Sequence, residues 1–394
     1  MTFDPTVDRS ASIERSGWLL VGSALGLLAI GFATALSVAA PGEFSDAVRA
    51  QGVNVAVALL GFLVALRVDL ATIRRASPWI VVAVALLLIV VLTPGLGRAS
   101  HGARRWITVL GYSFQPSELA KVALILFLSE FVTRDAQALT DLRRGFLPAA
   151  ATVLVLAGLV LVEPDLGTSV YLVVLGGALL AVGGAPTPYL IGSALLAIPG
   201  ILLVAFRAFD HVRHRNVDAT QVQQSLRALG EGGPFGVGYG AGRMKLGHVP
   251  EGHNDFVFAL VGEEWGFFGA VAVLVLFGGI LFAGARGSRA CRDPFARLIV
   301  FGVPFAIVFQ AVFNIAVVTG VAPPKGIALP FVSSGGSALL AFSVAVGLAA
   351  SALRAEAARE RASCVSFARL APSRGDADAR SLPQPETVSL PASR

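Results

Sequence analysis

The chain is predicted to be an all-α integral membrane protein of about ten transmembrane helices, and three observations carry that prediction. Hydrophobic residues make up 55% of its 394 positions and charged residues 14%, against about 25% charged in soluble domains. Mean hydropathy is +0.74. Apolar runs of about 20 residues, the length that crosses a hydrocarbon core, recur from Gly17 to Leu353. The runs do not alternate in polarity as barrel strands do, so the backbone must satisfy its own hydrogen bonds as helix.

The spans fall at 17–40, 50–66, 78–93, 117–133, 146–162, 168–184, 189–206, 256–285, 296–320 and 336–353. The first is longer than the apolar core of a cleaved signal, about 7–15 residues, and further spans follow it, so it reads as a helix that stays. An even number of spans returns both termini to one side. The loops at 67–77, 134–145 and 286–295 hold Arg67, Arg74, Arg75, Arg134, Arg143, Arg144, Arg286, Arg289 and Arg292; the opposite short loops hold Arg49, Arg98, Arg104, Arg105 and Lys325. That excess places the first side, and both termini, in the cytoplasm. Trp18 and Trp79 fall at span edges, as an interfacial belt requires. The organisation is thus a cytoplasmic tail 1–16, a membrane body 17–353 and a cytoplasmic tail 354–394. In that last tail "RAEAARERAS" can continue the final helix, while the Pro/Ser/Asp-rich remainder reads as disordered.

One long polar stretch, 207–255, faces outward between helices 7 and 8. Within it "TQVQQSLRALG" puts Val222, Leu226 and Leu229 on one face of a short helix that lies on the membrane or on other loops. The seven glycines of "GEGGPFGVGYGAG" (230–242) suit either a phosphate cradle or a flexible lid or close-packed turn. No G-K-[ST] is present and no strand precedes them, which favours the second reading. The two cysteines, Cys291 and Cys364, are too few and too far apart for a disulfide framework or metal site. The net charge of +6 belongs to membrane orientation rather than to nucleic acid. His101, His211, His214, His248 and His253 are all expected to face outward and lack the spacings of zinc sites.

Ionisable groups break the pattern in three places. Arg98, Arg104 and Arg105 crowd the outward loop "GRASHGARRWITVLGYSFQPSELAK", on the side where basic residues are disfavoured. A guanidinium fork suits a phosphate; lipid headgroups or nearby carboxylates are the alternative partners. Pro116 suits the first turn of the fourth span, and Glu118 and Lys121 fall three apart on one face beneath it. An ion pair at that depth either marks a working site or clamps helices together, and Glu163 and Asp165 in "EPDLGTS" raise the same choice. The third place is "VPEGHNDFVFALVGEEWGFFG", where Glu251, His253 and Asp255 meet the start of a span. Partial burial raises a carboxyl pKa toward neutrality and nearby cations pull it back, which suits Asp255 to general-base work. A base beside a cationic anion clamp is what group transfer from a lipid-linked pyrophosphate needs. The residues alone therefore point to a membrane-embedded transferase or transporter handling an anionic lipid.

Taken together, "GARRWI", "QPSELAK", "EPDLGTS", "QQSLRALGEGG", "GVGYGAG", "VPEGHNDFVFALVGEEWGFFG" and "NIAVVTGVAPPKGIALPFVSSGGSALL", in this order over residues 102–340, resemble the SEDS family of shape, elongation, division and sporulation proteins. The "VVTG…PPKG" run is similar to its FtsW-like division branch more than to its RodA-like elongation branch. The resemblance implies a ten-helix, inverting glycosyltransferase of the bacterial inner membrane, enriched at the division site, that polymerises lipid II into peptidoglycan strands. It implies a class B penicillin-binding protein as partner, among other division or elongation membrane proteins and membrane lipids. The family's essential aspartate corresponds to Asp255 in Pro250–Phe256, activating the sugar hydroxyl that attacks the donor's anomeric carbon. Its motif arginine corresponds to Arg105, beside Arg104, and its E-x-x-K pair to Glu118 and Lys121, in the cavity expected for pyrophosphate and sugars. His253, Glu251, Lys325 and Ser333, with the rest of the 333–337 turn, are expected on the same outward face. The family's arginine at the head of the second span stands one place off, as Arg49. Asn254, Ser334 and Thr220 replace the family's usual Thr, Tyr and Tyr. A divalent cation, Mg²⁺ or Mn²⁺, can assist a pyrophosphate, but no ligand set is legible. Two rivals remain: a lipid flippase, with Glu118, Lys121 and the arginines along a polar path, and a scaffold for a transpeptidase, in which Asp255 is dispensable.

Overall fold

A computed structural model describes residues 5–38, 44–93, 97–100, 103–109, 112–135, 138–197, 200, 216–243, 255–322 and 326–370. Among them run eleven helices: α1 (Pro5–Ser37), α2 (Phe44–Arg67), α3 (Leu70–Leu92), α4 (Pro116–Arg134), α5 (Leu147–Val162), α6 (Leu166–Val182), α7 (Thr187–Ala197), α8 (Asn216–Glu231), α9 (Val257–Ala290), α10 (Pro294–Val318) and α11 (Gly336–Leu370). Seven are long and apolar enough to cross a membrane: α1, α2, α3, α5 with the π-turn Leu142–Phe146 before it, α9, α10 and α11. Trp18 and Trp79 are both largely exposed on this bundle.

Local chemistry sets where the helices begin. Asp69 accepts from the Ala71 amide, Asp165 from the amide and hydroxyl of Thr168, and Asp293 from the Phe295 amide. Each such cap stabilises a helix start by about 1 kcal/mol. Pro116 and Pro294 occupy first turns, where no amide is needed. The Asp69 cap corrects the loop expected at 67–77: α3 begins at Leu70, so Arg74 and Arg75 are helical. Pro78 inside α3 leaves the Arg74 carbonyl without its helical amide, and the Ser77 hydroxyl donates to that carbonyl instead.

The bundle is helical as expected, with one small addition. The basic loop after α3 folds as an antiparallel sheet of β1 (Arg98–Ser100), β2 (Ala103–Val109) and β3 (Tyr112–Phe114), ordered β1-β2-β3. Ile107 pairs with Phe114, Thr108 with Ser113 and Val109 with Tyr112. Aromatic and β-branched residues favour strands, and seven residues are too few to register as a hydropathy feature.

Packing centres on α4, α10 and α11. Helix α2 lies along α11 so closely that a Cβ at Gly347 would come within 2.6 Å of the Phe62 carbonyl, the small-residue contact common between membrane helices. Helix α8 rests on α9 and α10, with Ala228 buried and the Ser225 hydroxyl donating to the Val318 carbonyl. Val222 and Leu229 turn inward while Leu226 stays exposed, so its apolar face is narrower than the sequence pattern suggests. At the far end of the bundle α11 runs on to Leu370. There the Glu356 carboxylate accepts from the Arg292 amide at 2.8 Å, and Arg359 bridges Asp293 and Glu356 at 3.0 Å each.

A candidate polar site at the strand end of the bundle

Strand β2 delivers Arg105 to the turn between α5 and α6. Its Nε donates to the Glu163 carbonyl at 3.0 Å, an Nη to the Pro164 carbonyl, and Nη1 lies 3.8 Å from Asp165 Oδ2. The guanidinium is half-buried and anchors this turn. Glu163 is fully buried, and neither carboxylate oxygen has a partner among the described residues. Burial, then the Asp165 charge, push its pKa up to about 8 against a smaller lowering by Arg105, so at neutral pH it is a protonated acid. The "EPDLGTS" motif thus supplies the carbonyls that anchor Arg105, a helix cap and a neutral acid.

Below Pro116, Glu118 and Lys121 form the pair that their spacing predicts, at 2.8 Å. Lys121 Nζ also donates to Gln310 Oε1 on α10 at 2.6 Å and lies over the Tyr171 and Phe342 rings, 4.9 and 5.4 Å from their centroids. Both members are buried. The pair lies behind the end of the bundle, enclosed by four helices.

The segment 326–337 crosses this end of the bundle as a bridge. Gln310 Nε2 donates to the Ala328 carbonyl at 2.8 Å, and Asn314, one turn on, donates to the Ile327 carbonyl at 2.7 Å. Ser333 Oγ accepts from the Leu329 amide and closes the turn; Ser337 Oγ accepts from the Gln115 amide and donates to Ser113, tying the bridge to β3 and α4. Asn54 on α2 reaches the Ser334 carbonyl at 3.5 Å.

Asp255 stands at the head of α9, partly exposed, with its backbone carbonyl accepting from Asn314 Nδ2 at 2.7 Å. A Cβ at Gly326 would lie 3.1 Å from Asp255 Oδ2, and one at Gly167 would lie 3.0 Å from Ile327 Cδ1. Asp255, the bridge and the Arg105-anchored turn are therefore immediate neighbours.

The glycine-rich segment resolves as a close-packed turn. Helix α9 breaks at Gly266 (φ 70°, ψ −163°), which frees the carbonyls of Glu263 and Glu264 and the amides of Phe267 and Phe268. Val237 and Gly238 amides bond those carbonyls at 2.9 and 3.2 Å; the Gly233 and Pro234 carbonyls take the freed amides at 2.8 and 3.2 Å. Gly236 (φ +82°) has no room for a side chain, because a Cβ would come 2.1 Å from the Glu264 carbonyl oxygen. The glycines serve close backbone approach to α9, not a phosphate.

An apolar cavity of about 560 Å³ opens between α2, α3, α4 and α11, running from Leu119 and Leu340 near this end to Val68 and Thr72 at the α2–α3 turn. Its walls include Gly61, Val64, Ala76, Ala123 and Leu340, and Thr72 is its one hydroxyl-bearing lining residue. Leu60 and Val64 are exposed there, so the groove opens sideways to the hydrocarbon.

Of the residues expected at the site, Asp255, Arg105, Glu118, Lys121 and Ser333 come together around the bridge. Glu251, His253, Lys325 and the other four histidines lie outside the described residues, as does the side chain of Arg104. Arg49 is exposed on α2; it is Asn54, which also donates to Gln51, that reaches the bridge from this helix. Among the described residues no group of three or more His, Cys, Asp or Glu is placed to hold a metal ion. Gln310 and Asn314 were not expected at the site: their signals are an i, i+4 spacing in an apolar span and, for Asn314, its place at the head of the "NIAVVTG" run.

The fold and site define a polytopic helical membrane protein with a charged site at one end and a lipid-facing apolar groove beside it. The chain belongs to the FtsW/RodA/SpoVE family of cell cycle proteins, whose profile matches residues 17–358. It is 36% identical over 329 residues to the probable peptidoglycan glycosyltransferase FtsW of Trichlorobacter lovleyi, covering 80% of this chain and 86% of that one. It is 35% identical over 346 residues to stage V sporulation protein E of Bacillus subtilis, covering 84% and 94%. Among solved structures it superposes on a chain from a peptidoglycan synthase complex that coordinates polymerization and crosslinking (TM-score 0.72, 29% identity, 86% of this chain and 98% of that one). It also superposes on the rod shape determining protein RodA of Thermus thermophilus (TM-score 0.65, 28% identity, 86% and 97%).

Proposed function

We propose that this protein is a peptidoglycan glycosyltransferase that polymerises lipid II, with Asp255 as general base. One observation carries the reading: a carboxylate fixed by its backbone at the mouth of the bundle adjoins a turn anchored by a guanidinium. In the reaction Asp255 takes the proton from an acceptor sugar hydroxyl as that oxygen bonds the donor's anomeric carbon. The anomeric C–O bond to phosphate breaks, and polyprenyl pyrophosphate leaves with its negative charge. Arg105, whose fork anchors the turn, brings its positive charge and its remaining N–H groups to that pyrophosphate, with Arg104 and Lys325 as further cations. The buried Lys121–Glu118 pair holds the wall against which the site is built, and its enclosure favours a fixed support over a translocation path. The lateral groove suits the polyprenyl chain, which can stay in hydrocarbon while its headgroup reacts.

The reading includes ten spans, with α4, α6 and α7 completing the seven longer helices, both termini cytoplasmic and the Asp255 end outside. It includes a class B penicillin-binding protein as the crosslinking partner, and location at the division site. Purified protein given labelled lipid II should yield glycan polymer, and Asp255→Asn should yield none while folding normally. Equal polymer from the two proteins rules the proposal out.

A further inference from the structure

Two side-chain amides one turn apart on α10 sit where an apolar span would ordinarily carry hydrocarbon. Gln310 and Asn314 are each almost wholly buried; a buried amide is costly unless its hydrogen bonds are made, and the Asn314 oxygen has no partner among the described residues, so its nitrogen makes all of them. Gln310 spends its carboxamide oxygen on Lys121 and its NH₂ on the Ala328 carbonyl. Asn314 does something different. Its single NH₂ group donates to two backbone carbonyls, of Asp255 and of Ile327, at 2.7 Å each. Both acceptors are carbonyls, so only the nitrogen end of the amide can face them, and the orientation of the side chain is fixed by chemistry.

The two carbonyls belong to segments about 70 positions apart in the chain. One is the backbone of Asp255 itself; the other follows Gly326, against which the Asp255 carboxylate is set, with room for a hydrogen but only 3.1 Å to any Cβ. Asn314 therefore grips both sides of the contact between the carboxylate and its floor.

We propose that Asn314 is a positioning residue for Asp255, holding the Asp255 backbone and the Gly326–Ile327 bridge in one register so that the carboxylate meets the acceptor hydroxyl. The inference rests on the glycosyl-transfer reading above and extends it to a residue that touches no substrate. Isosteric Asn314→Asp replaces the NH₂ with oxygen, which cannot donate and repels both carbonyls. Asn314→Ala removes the grip without adding charge.

The test is steady-state polymerisation of labelled lipid II by purified full-length protein in lipid nanodiscs, with rates normalised to folded protein. Asn314→Asp and Asn314→Ala should lower kcat about 100-fold, the usual consequence of displacing a reacting group by about 1 Å, with KM for lipid II unchanged. A contact that is merely structural would lower the amount of folded enzyme and leave kcat per folded molecule intact. Gly326→Ala, whose methyl meets only the Asp255 carboxylate among the described residues, should lower kcat by itself and add no further loss in the Asn314→Ala background, because the register it perturbs is already gone. Wild-type kcat in the Asn314 variants, a loss that appears in KM instead, or losses that multiply in the double variant each overturn the proposal. If Asn314→Ala does not fold, Asn314→Ser, which keeps one donor, should show a smaller kcat loss at unchanged KM, and wild-type kcat there overturns it. Failure of the glycosyl-transfer reading is seen separately, as polymer formed by Asp255→Asn in the same assay.

Discussion

Replacing Lys121 by methionine removes one charge from a buried site. Lys121 Nζ makes two short hydrogen bonds, 2.8 Å to Glu118 Oε1 and 2.6 Å to Gln310 Oε1, beneath two aromatic rings. Glu118 Oε2 already has no partner among the described residues. In Lys121→Met the carboxylate keeps its burial and loses its counter-charge, which for a buried pair costs about 3–5 kcal/mol. That is a large part of the roughly 5–15 kcal/mol by which folded proteins are stable. Removing the carboxylate as well should relieve most of the loss. In Lys121→Met/Glu118→Leu the remaining cost is the unpaired oxygen of Gln310, about 1–3 kcal/mol. Equilibrium unfolding in mixed micelles, followed by circular dichroism, measures both variants against wild type. A loss below about 1 kcal/mol in Lys121→Met, the size of an exposed pair, or a double variant less stable than the single one, would refute the enclosed-pair account.

Three further outcomes are expected. The Glu163 carboxyl, raised from 4.5 to about 8, keeps a proton in the folded state that the unfolded chain releases from about 4.5 upward. Its protonated burial is therefore fully tolerated below that pH, and stability is lost as pH rises toward 8. Glu163→Gln, neutral throughout, should match wild type near pH 4 and exceed it increasingly up to pH 8 in thermal unfolding; a pH-independent difference contradicts the assignment. Gly236→Ala combines a left-handed backbone with a Cβ 2.1 Å from the Glu264 oxygen, and should cost more than the 1–3 kcal/mol of backbone strain alone. Gly230→Ala, in the last turn of α8 with nothing within 4 Å, should be at least as stable as wild type; equal stabilities of the two variants would remove the reason given for Gly236. Arg105→Lys cannot hold the Glu163 and Pro164 carbonyls with one planar fork, so polymerisation should fall at least 10-fold despite the retained charge. An unimpaired rate would mean that charge, not geometry, is what matters there.

Charge was the legible part of this site. Glu118, Lys121, Arg105 and Asp255 stood out because an ionisable group in an apolar chain must be paired or functional, and the structure gathers all four about one bridge. Gln310 did not stand out, and Asn314 did so only as the first residue of a family motif, with no role assigned. Uncharged amides in "FQAVFNIAVV" barely disturb hydropathy, and their value depends on carbonyls brought from another part of the chain. The glycine run was visible, but its reason was not, because the break in α9 at Gly266 is a backbone torsion that hydropathy cannot sense. The short sheet at 98–114 was hidden by its arginines, and the start of α3 by Pro78, whose missing amide Ser77 compensates.

The base assignment is tested most directly by following binding and bond formation in one sample of Asp255→Asn. Lipid II binding in nanodiscs should be close to wild type, since the carboxamide fills the same space. Single-turnover formation of the first glycosidic bond should fall by about 10²–10⁴-fold, the range a general base supplies. Bond formation at the wild-type rate in that sample would contradict Asp255 as the base.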